Sequence, residues 1–350
     1  MELETLLRQI RPADQQAYDA CIRKFNGIAK PLGSLGKLET MLARVAAASG
    51  SAEIHINKKC VLVFCADNGV VGQGVAQSTH DVTTAIGRSL VRGTASVNVM
   101  AKAAGADVFP VDVGMIDSVP GLPQQKLFCG TGDISRGPAM TREQAEKLVL
   151  TGVELVREKV AEGYGVIATG EAGIGNTTTS SAMAAVLLDL PVETVTGRGS
   201  GLSDAGLSQK QRIIHNSIMV NYPSAGDPLD VLMKVGGADI AAMVGAFLGG
   251  ALYHVPVVVD GLISSVAALC AVRLCPAVKG YLLPSHLTAE PAGIKIMEEL
   301  GLDPMLHGDM RLGEGTGAVA LFPMLDMAAA VYDHAATFAD IQVEAYQKQV

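Results

Sequence analysis

The run Cys60-Val61-Leu62-Val63-Phe64-Cys65-Ala66 carries no charged side chain and halts at Asp67-Asn68-Gly69. A strand that is apolar along its whole length needs cover on both faces, and parallel sheets flanked by helices supply it. Comparable short runs stand at 107–113, 165–169, 194–197 and 256–260. Longer helical patterns lie between and beyond them, at 84–104, 141–162, 178–188 and 207–222. The expectation is an α/β fold: an open, mostly parallel sheet with helices on both faces. Ligands of such sheets bind beyond the carboxyl ends of the strands.

A chain of 350 residues exceeds one average domain but suits a large α/β core with a smaller appended lobe. Both ends of the chain read as helical. They are expected to pack together as a small helical lobe of residues 1–45 and 325–350, beside a catalytic domain of residues 46–324. The net charge of −8 argues against nucleic acid as a partner and offers no basic patch for a membrane surface. Six cysteines without a CxxC pair read as free thiols in a reducing, cytoplasmic compartment. The N-terminus is acidic and lacks an apolar signal core. Residues 240–259 superficially resemble a membrane span, but Gly249, Gly250, His254 and Pro256 interrupt it. A buried helix followed by a buried strand fits better. The seven histidines are dispersed, so neither a metal nor another cofactor is expected.

The chemistry concentrates in glycine-rich stretches. Arg311-Leu312-Gly313-Glu314-Gly315-Thr316-Gly317 sets one carboxylate among three glycines, directly before an apolar run. Glycine lets a substrate approach the backbone, and a carboxylate in apolar surroundings is suited to removing a proton. The plainer reading is a turn with a solvated glutamate. Gly170-Glu171-Ala172-Gly173-Ile174-Gly175-Asn176-Thr177-Thr178 ends a strand and opens a helix, where free backbone N–H groups attract phosphate. An ordinary helix cap by Asn176 or Thr177 is the alternative. Gly197-Arg198-Gly199-Ser200-Gly201, with Lys210 beyond it, reads equally as a binding loop or a flexible one. Neither a dinucleotide fingerprint nor a GxSxG elbow is present, which disfavours a NAD-type dehydrogenase and that class of hydrolase. Asp260 closes Val257-Val258-Val259 without the paired acids of a magnesium-diphosphate motif, and is expected to hold a backbone group or a substrate hydroxyl.

Taken in order, these pieces resemble the nicotinate-nucleotide:dimethylbenzimidazole phosphoribosyltransferase family of cobamide biosynthesis. The resemblance rests on the 30–39 segment KPLGSLGKLE, Cys65 to Val70, Gly170 to Gly173 with Asn176-Thr177-Thr178, and Lys234-Val235-Gly236-Gly237. It continues through Asp260-Gly261, Pro284-Ser285-His286 and residues 311–318, so it covers nearly the whole chain. It implies a Rossmann-like α/β domain with a small helical lobe, assembled as a dimer with a like or an unlike partner. It implies transfer of 5-phosphoribose from nicotinate mononucleotide to an aromatic base, releasing nicotinate and forming an α-riboside phosphate.

By that resemblance Glu314 matches the general base and Glu171 a second carboxylate of the site. Gly173, Gly175, Asn176, Lys210, Thr288, Gly313 and Gly315 fall where phosphate and ribose are held. Ser78, Ile86 and Ala172 fall in the acceptor pocket, and there the chain departs from the family. Ile86 stands where a glutamine is usual, and Ala172 is smaller than the residue often found. Dimethylbenzimidazole, another benzimidazole, adenine and a phenol thus all stand as acceptors. A non-catalytic partner subunit is the remaining alternative, disfavoured by retention of both glutamates.

Overall fold

The computed structural model describes residues 2–347. Helices α1 (Leu3–Leu7), α2 (Gln15–Gly27) and α3 (Lys37–Ser49) precede the first strand, β1 (Lys59–Ala66). Next come α4 (His80–Arg92), α5 (Ser96–Ala103), β2 (Asp107–Gly114), α6 (Arg142–Ala161) and β3 (Val166–Ala172). Then run α7 (Asn176–Leu188), α8 (Val192–Val195), α9 (Asp204–Asn221), α10 (Pro228–Val235), α11 (Ala238–Leu252) and β4 (Val257–Val259). The last elements are α12 (Leu262–Leu274), β5 (Leu282–Pro284), α13 (Pro291–Leu300) and α14 (Thr316–His334).

The strands form one sheet in the order β2-β1-β3-β4-β5, and every neighbouring pair is parallel. This is the open α/β sheet expected. From β1 the chain moves outward to β2, then crosses to β3 on the other side of β1. That reversal opens a crevice at the carboxyl ends of β1 and β3, where ligands of such sheets bind.

All eight residues of β1 are buried, and its side chains alternate between two apolar layers. Leu62 and Phe64 pack with Leu148 of α6 and Phe247 of α11. Val61 and Val63 pack with Leu42 of α3, Val97 of α5 and Phe322 of α14. Helices α6 and α11 cross so closely that a Cβ on Gly152 would strike Ala242 O, and one on Gly245 would strike Val149 O. The segment 240–259 divides as expected into buried α11 and strand β4, and no helix among the described residues is long and apolar enough to cross a membrane.

Three local expectations need correction. The 84–104 helix is two helices, because Gly93 takes φ +74° and closes α4 with bonds to Leu90 O and Ser89 O. The strand expected at 194–197 does not form. Pro191 opens the single turn α8 instead, and the Thr194 and Thr196 hydroxyls donate to Pro191 O and Val192 O, closing it as a turn. Strand β5 had no sequence signal: it is three residues long and ends in proline, tolerable at a sheet edge. Helix α6 follows the expected span closely, its start set by a Thr141–Gln144 capping box.

The chain ends pack together. The Phe25 and Tyr332 rings lie 4.9 Å apart, Lys24 pairs with Asp333 at 3.1 Å, and Ile28 bridges Thr337. Their apolar side chains continue into the layer beneath the sheet. Of the segments expected to form the small lobe, Met1 and residues 348–350 lie outside the described residues.

Candidate active site

The ends of β1, β3, β4 and β5 each deliver a polar residue to one side of the sheet: Asp67, Glu171, Asp260 and Ser285-His286. A cavity of about 190 Å³ opens there, lined by Ile86, Glu171, Ala172, Gly173, Gly175, Asn176, Thr288, Gly313 and Glu314, among others. Residues from early and late in the chain thus meet.

Glu314 sits in strained backbone. It takes φ +60° between Gly313 at +90° and Gly315 at +92°. A non-glycine residue held this way costs about 1–3 kcal/mol, so surrounding structure must enforce it. Two features do so. Gly170 in β3 has no side chain because a Cβ there would strike Glu314 O. Asp260, at the end of β4, accepts hydrogen bonds from Gly315 N at 3.2 Å and Ala318 N at 2.9 Å. It therefore acts as a cap for α14 supplied by another strand, holding backbone groups as expected while also lining the cavity. The Glu314 side chain is half-buried and faces the cavity, its Oε2 accepting from Val97 N at 3.2 Å near the start of α5. Burial raises its pKa above the ordinary range, opposed by that hydrogen bond.

Glu171 is surrounded differently. It is buried, and its Oε2 accepts from the Asn176 amide. The same amide nitrogen donates to Asp239 Oδ2 at 3.0 Å. Burial, then the negative charge of Asp239, push the Glu171 pKa up to about 8. Gly313 must be glycine, since a Cβ there would meet Glu171 Oε1. The two glutamate-bearing segments therefore touch.

The first turn of α7 borders the cavity through Gly175 at φ +90°, Asn176 and Thr177. Lys210 lies behind it rather than in the cavity wall. It is fully buried and donates to Thr177 Oγ1 at 2.9 Å and to Gly197 O at 3.2 Å, with burial drawing its pKa down to about 8. Gly315 also lies off the wall, packed against Val61 of β1. Ser78 is half-buried in the 74–79 loop and does not line the cavity, whereas Ile86 and Ala172 do.

Asp239 and Glu290 stand outside the motifs singled out in the sequence, and Arg198 and Arg311 stand inside two of them with no role expected of their side chains. The last three line the cavity, and Glu290 accepts from Gly199 N at 3.1 Å. Asp239 follows the noted Gly236-Gly237 pair closely, but nothing in the chain indicates that it meets Asn176. On the surface, His80, Asp81 and Asp117 bring ligand-type atoms within 4.8 Å of one another, and none of them lines the cavity.

A family model described as a phosphoribosyltransferase matches residues 10–343. The chain belongs to that phosphoribosyltransferase family. A relative from Acetivibrio thermocellus, named nicotinate-nucleotide--dimethylbenzimidazole phosphoribosyltransferase, is 43% identical over 98% of this chain and 99% of its own. One of the same name from Ruminiclostridium cellulolyticum is 42% identical over 99% of each. The crystal structure of CobT from Thermus thermophilus superposes with a TM-score of 0.89 at 38% identity, covering 94% of this chain and 99% of that one. Membership extends over the helical ends as well as the sheet, so every element that builds the cavity falls within the family match.

Proposed function

We propose that this phosphoribosyltransferase moves 5-phosphoribose from nicotinate mononucleotide to dimethylbenzimidazole or a related aromatic base, releasing nicotinate and giving an α-riboside phosphate for cobamide assembly. The observation that carries the reading is that Glu171 and Glu314 face one cavity at the strand ends of a chain matching the family along its length.

The donor's ring nitrogen is positively charged, so nicotinate departs as a neutral-ring leaving group without an acid or a metal. As the bond lengthens, C1′ gains positive charge, and a carboxylate at Glu171 stabilises it. The entering azole attacks through one ring nitrogen and loses the proton from the other. Glu314 takes that proton, because its raised pKa improves it as a base while the contact with α5 still favours ionisation. The donor phosphate fits the start of α7, with Gly173, Gly175 and Asn176 around it and Thr288 beside it. In this reading Lys210 acts from behind, through Thr177 and the Gly197 loop.

Ile86 and Ala172 give the acceptor side an apolar wall with no amide to read a ring nitrogen. That favours a second reading in which adenine or a phenol also serves. The dimer and the lobe of residues 1–45 and 325–350 belong to the proposal too. Exposed Val91, Val99, Ile116 and Leu127 supply apolar surface for a partner. Six unpaired cysteines support a reducing, cytoplasmic setting. The test is to supply the purified chain with nicotinate mononucleotide and equal dimethylbenzimidazole, adenine and phenol. Release of nicotinate with a matching riboside phosphate is expected, and no release from any acceptor rejects the reading.

A further inference from the structure

Asn176 offers one amide nitrogen to two buried carboxyls. Its Nδ2 donates to Glu171 and to Asp239 Oδ2, and Asp239 Oδ1 accepts from Ile240 N at 3.0 Å. The group is tightly enclosed: a Cβ on Gly173 would sit 3.0 Å from Asp239 Oδ2 and 3.3 Å from Asn176 Nδ2. No cation forms an ion pair with either carboxyl among the described residues. The charges that act most on Glu171 are negative and come from α11 (Asp239), the end of β4 (Asp260) and the turn before α14 (Glu314). The buried Cys65 thiol of β1 feels the same field, Asp67 acts on Asp239 in the same sense, and His286 opposes the burial of Asp260.

An amide dipole cannot neutralise two buried anions, so one of the pair must carry a proton. The backbone decides which. Asp239 lies in the first turn of α11, where helix N–H groups favour a negative charge. Glu171 ends a strand and has no such support. The pKa directions agree: Asp239 is pushed up to about 6 and Glu171 to about 8, burial being the largest cause in both.

We propose that Asp239 is a positioning residue which, by sharing the Asn176 amide with Glu171, takes the negative charge of the pair and keeps Glu171 neutral until the pyridinium ring of the donor enters. This rests on the preceding reading that the donor is a pyridinium nucleotide. When the donor binds, the Glu171 carboxyl loses its O–H proton to solvent, and the resulting carboxylate faces the ring nitrogen and C1′. The pocket thereby stays uncharged at this position when empty and anionic only when a pyridinium nitrogen is present to match it.

The experiment has two readouts on the wild type, Asp239→Asn and Asp239→Ser. The first is the infrared carbonyl band of protonated carboxyls in the ligand-free protein at pH 7. The wild type should show a band that Glu171→Gln removes, and both Asp239 variants should weaken it by more than about half. The second is calorimetric binding of nicotinate mononucleotide in buffers of different ionisation enthalpy. The wild type should release about one proton per donor bound and the variants less than about half of that. A Glu171 band of equal strength in the variants, or equal proton release, overturns the proposal. A wild type that shows the band yet binds no nicotinate mononucleotide would instead sink the donor assignment.

Discussion

The two glutamates face one cavity from opposite kinds of structure. Glu171 ends a fully buried strand in relaxed backbone, ringed by acids. Glu314 rides a left-handed turn at the cavity mouth, half-exposed, with its carboxylate against a helix start. Burial raises both pKa values, yet the surroundings suit different work. A rigid acid among other acids gains most from a cation placed beside it. An acid with access to solvent and a helix start can take a proton and hand it on. A raised pKa therefore does not define a role; the neighbours do.

Glu314→Gln separates the two most sharply. Turnover with dimethylbenzimidazole should fall by about 10²–10⁴, while the donor dissociation constant stays within about threefold. Equal losses in both would merge the two roles.

The second contrast is in stability. Glu171 binds its proton more tightly folded than unfolded, with a pKa of about 8 against an ordinary 4.5. The stability this contributes is complete below about 4.5 and is lost as pH rises through about 8. Between about pH 5 and 9, denaturant unfolding should show the wild type losing about 3–5 kcal/mol more than Glu171→Gln. Parallel curves would mean that Glu171 is already ionised when empty. The Glu314→Gln curve should run close to wild type, because its carboxyl is only half-buried.

Positioning should matter more for the strained residue. Asp260→Asn leaves the Gly315 and Ala318 N–H groups with one acceptor oxygen in place of two. Loosening that turn should lower kcat about 10–100-fold with donor binding retained, measured by steady-state kinetics and calorimetry. An unchanged kcat would show that Gly170 and the flanking glycines hold Glu314 unaided. The smallest effect concerns the acceptor. Ile86→Gln should shift the kcat/KM ratio of dimethylbenzimidazole over phenol by about 10-fold or less, read by competition. No shift would remove Ile86 from the acceptor wall.

Much of this was legible in the chain. The apolar β1 run, the strand-ending Glu171 and the glycines around Glu314 announce themselves because each is local. The strand expected at 194–197 failed because the Pro191 turn and two threonine hydroxyls outweigh a short β-prone run. Lys210 appeared beside a glycine loop in sequence, yet helix α9 carries its amine beneath Thr177 rather than into the cavity. Asp239 was invisible for a different reason. Its importance comes from sharing one amide with a residue far away in the chain, and only the folded arrangement of β3, α7 and α11 creates that meeting.

The central claim is that Glu314 removes a proton from the entering base. An acceptor methylated on one ring nitrogen still attacks through the other but has no proton to lose. Turnover of wild type and Glu314→Gln should be compared with dimethylbenzimidazole and with its N-methyl derivative. The account predicts a ratio of about 10²–10⁴ for the first and near one for the second. The same large ratio for both acceptors would contradict it.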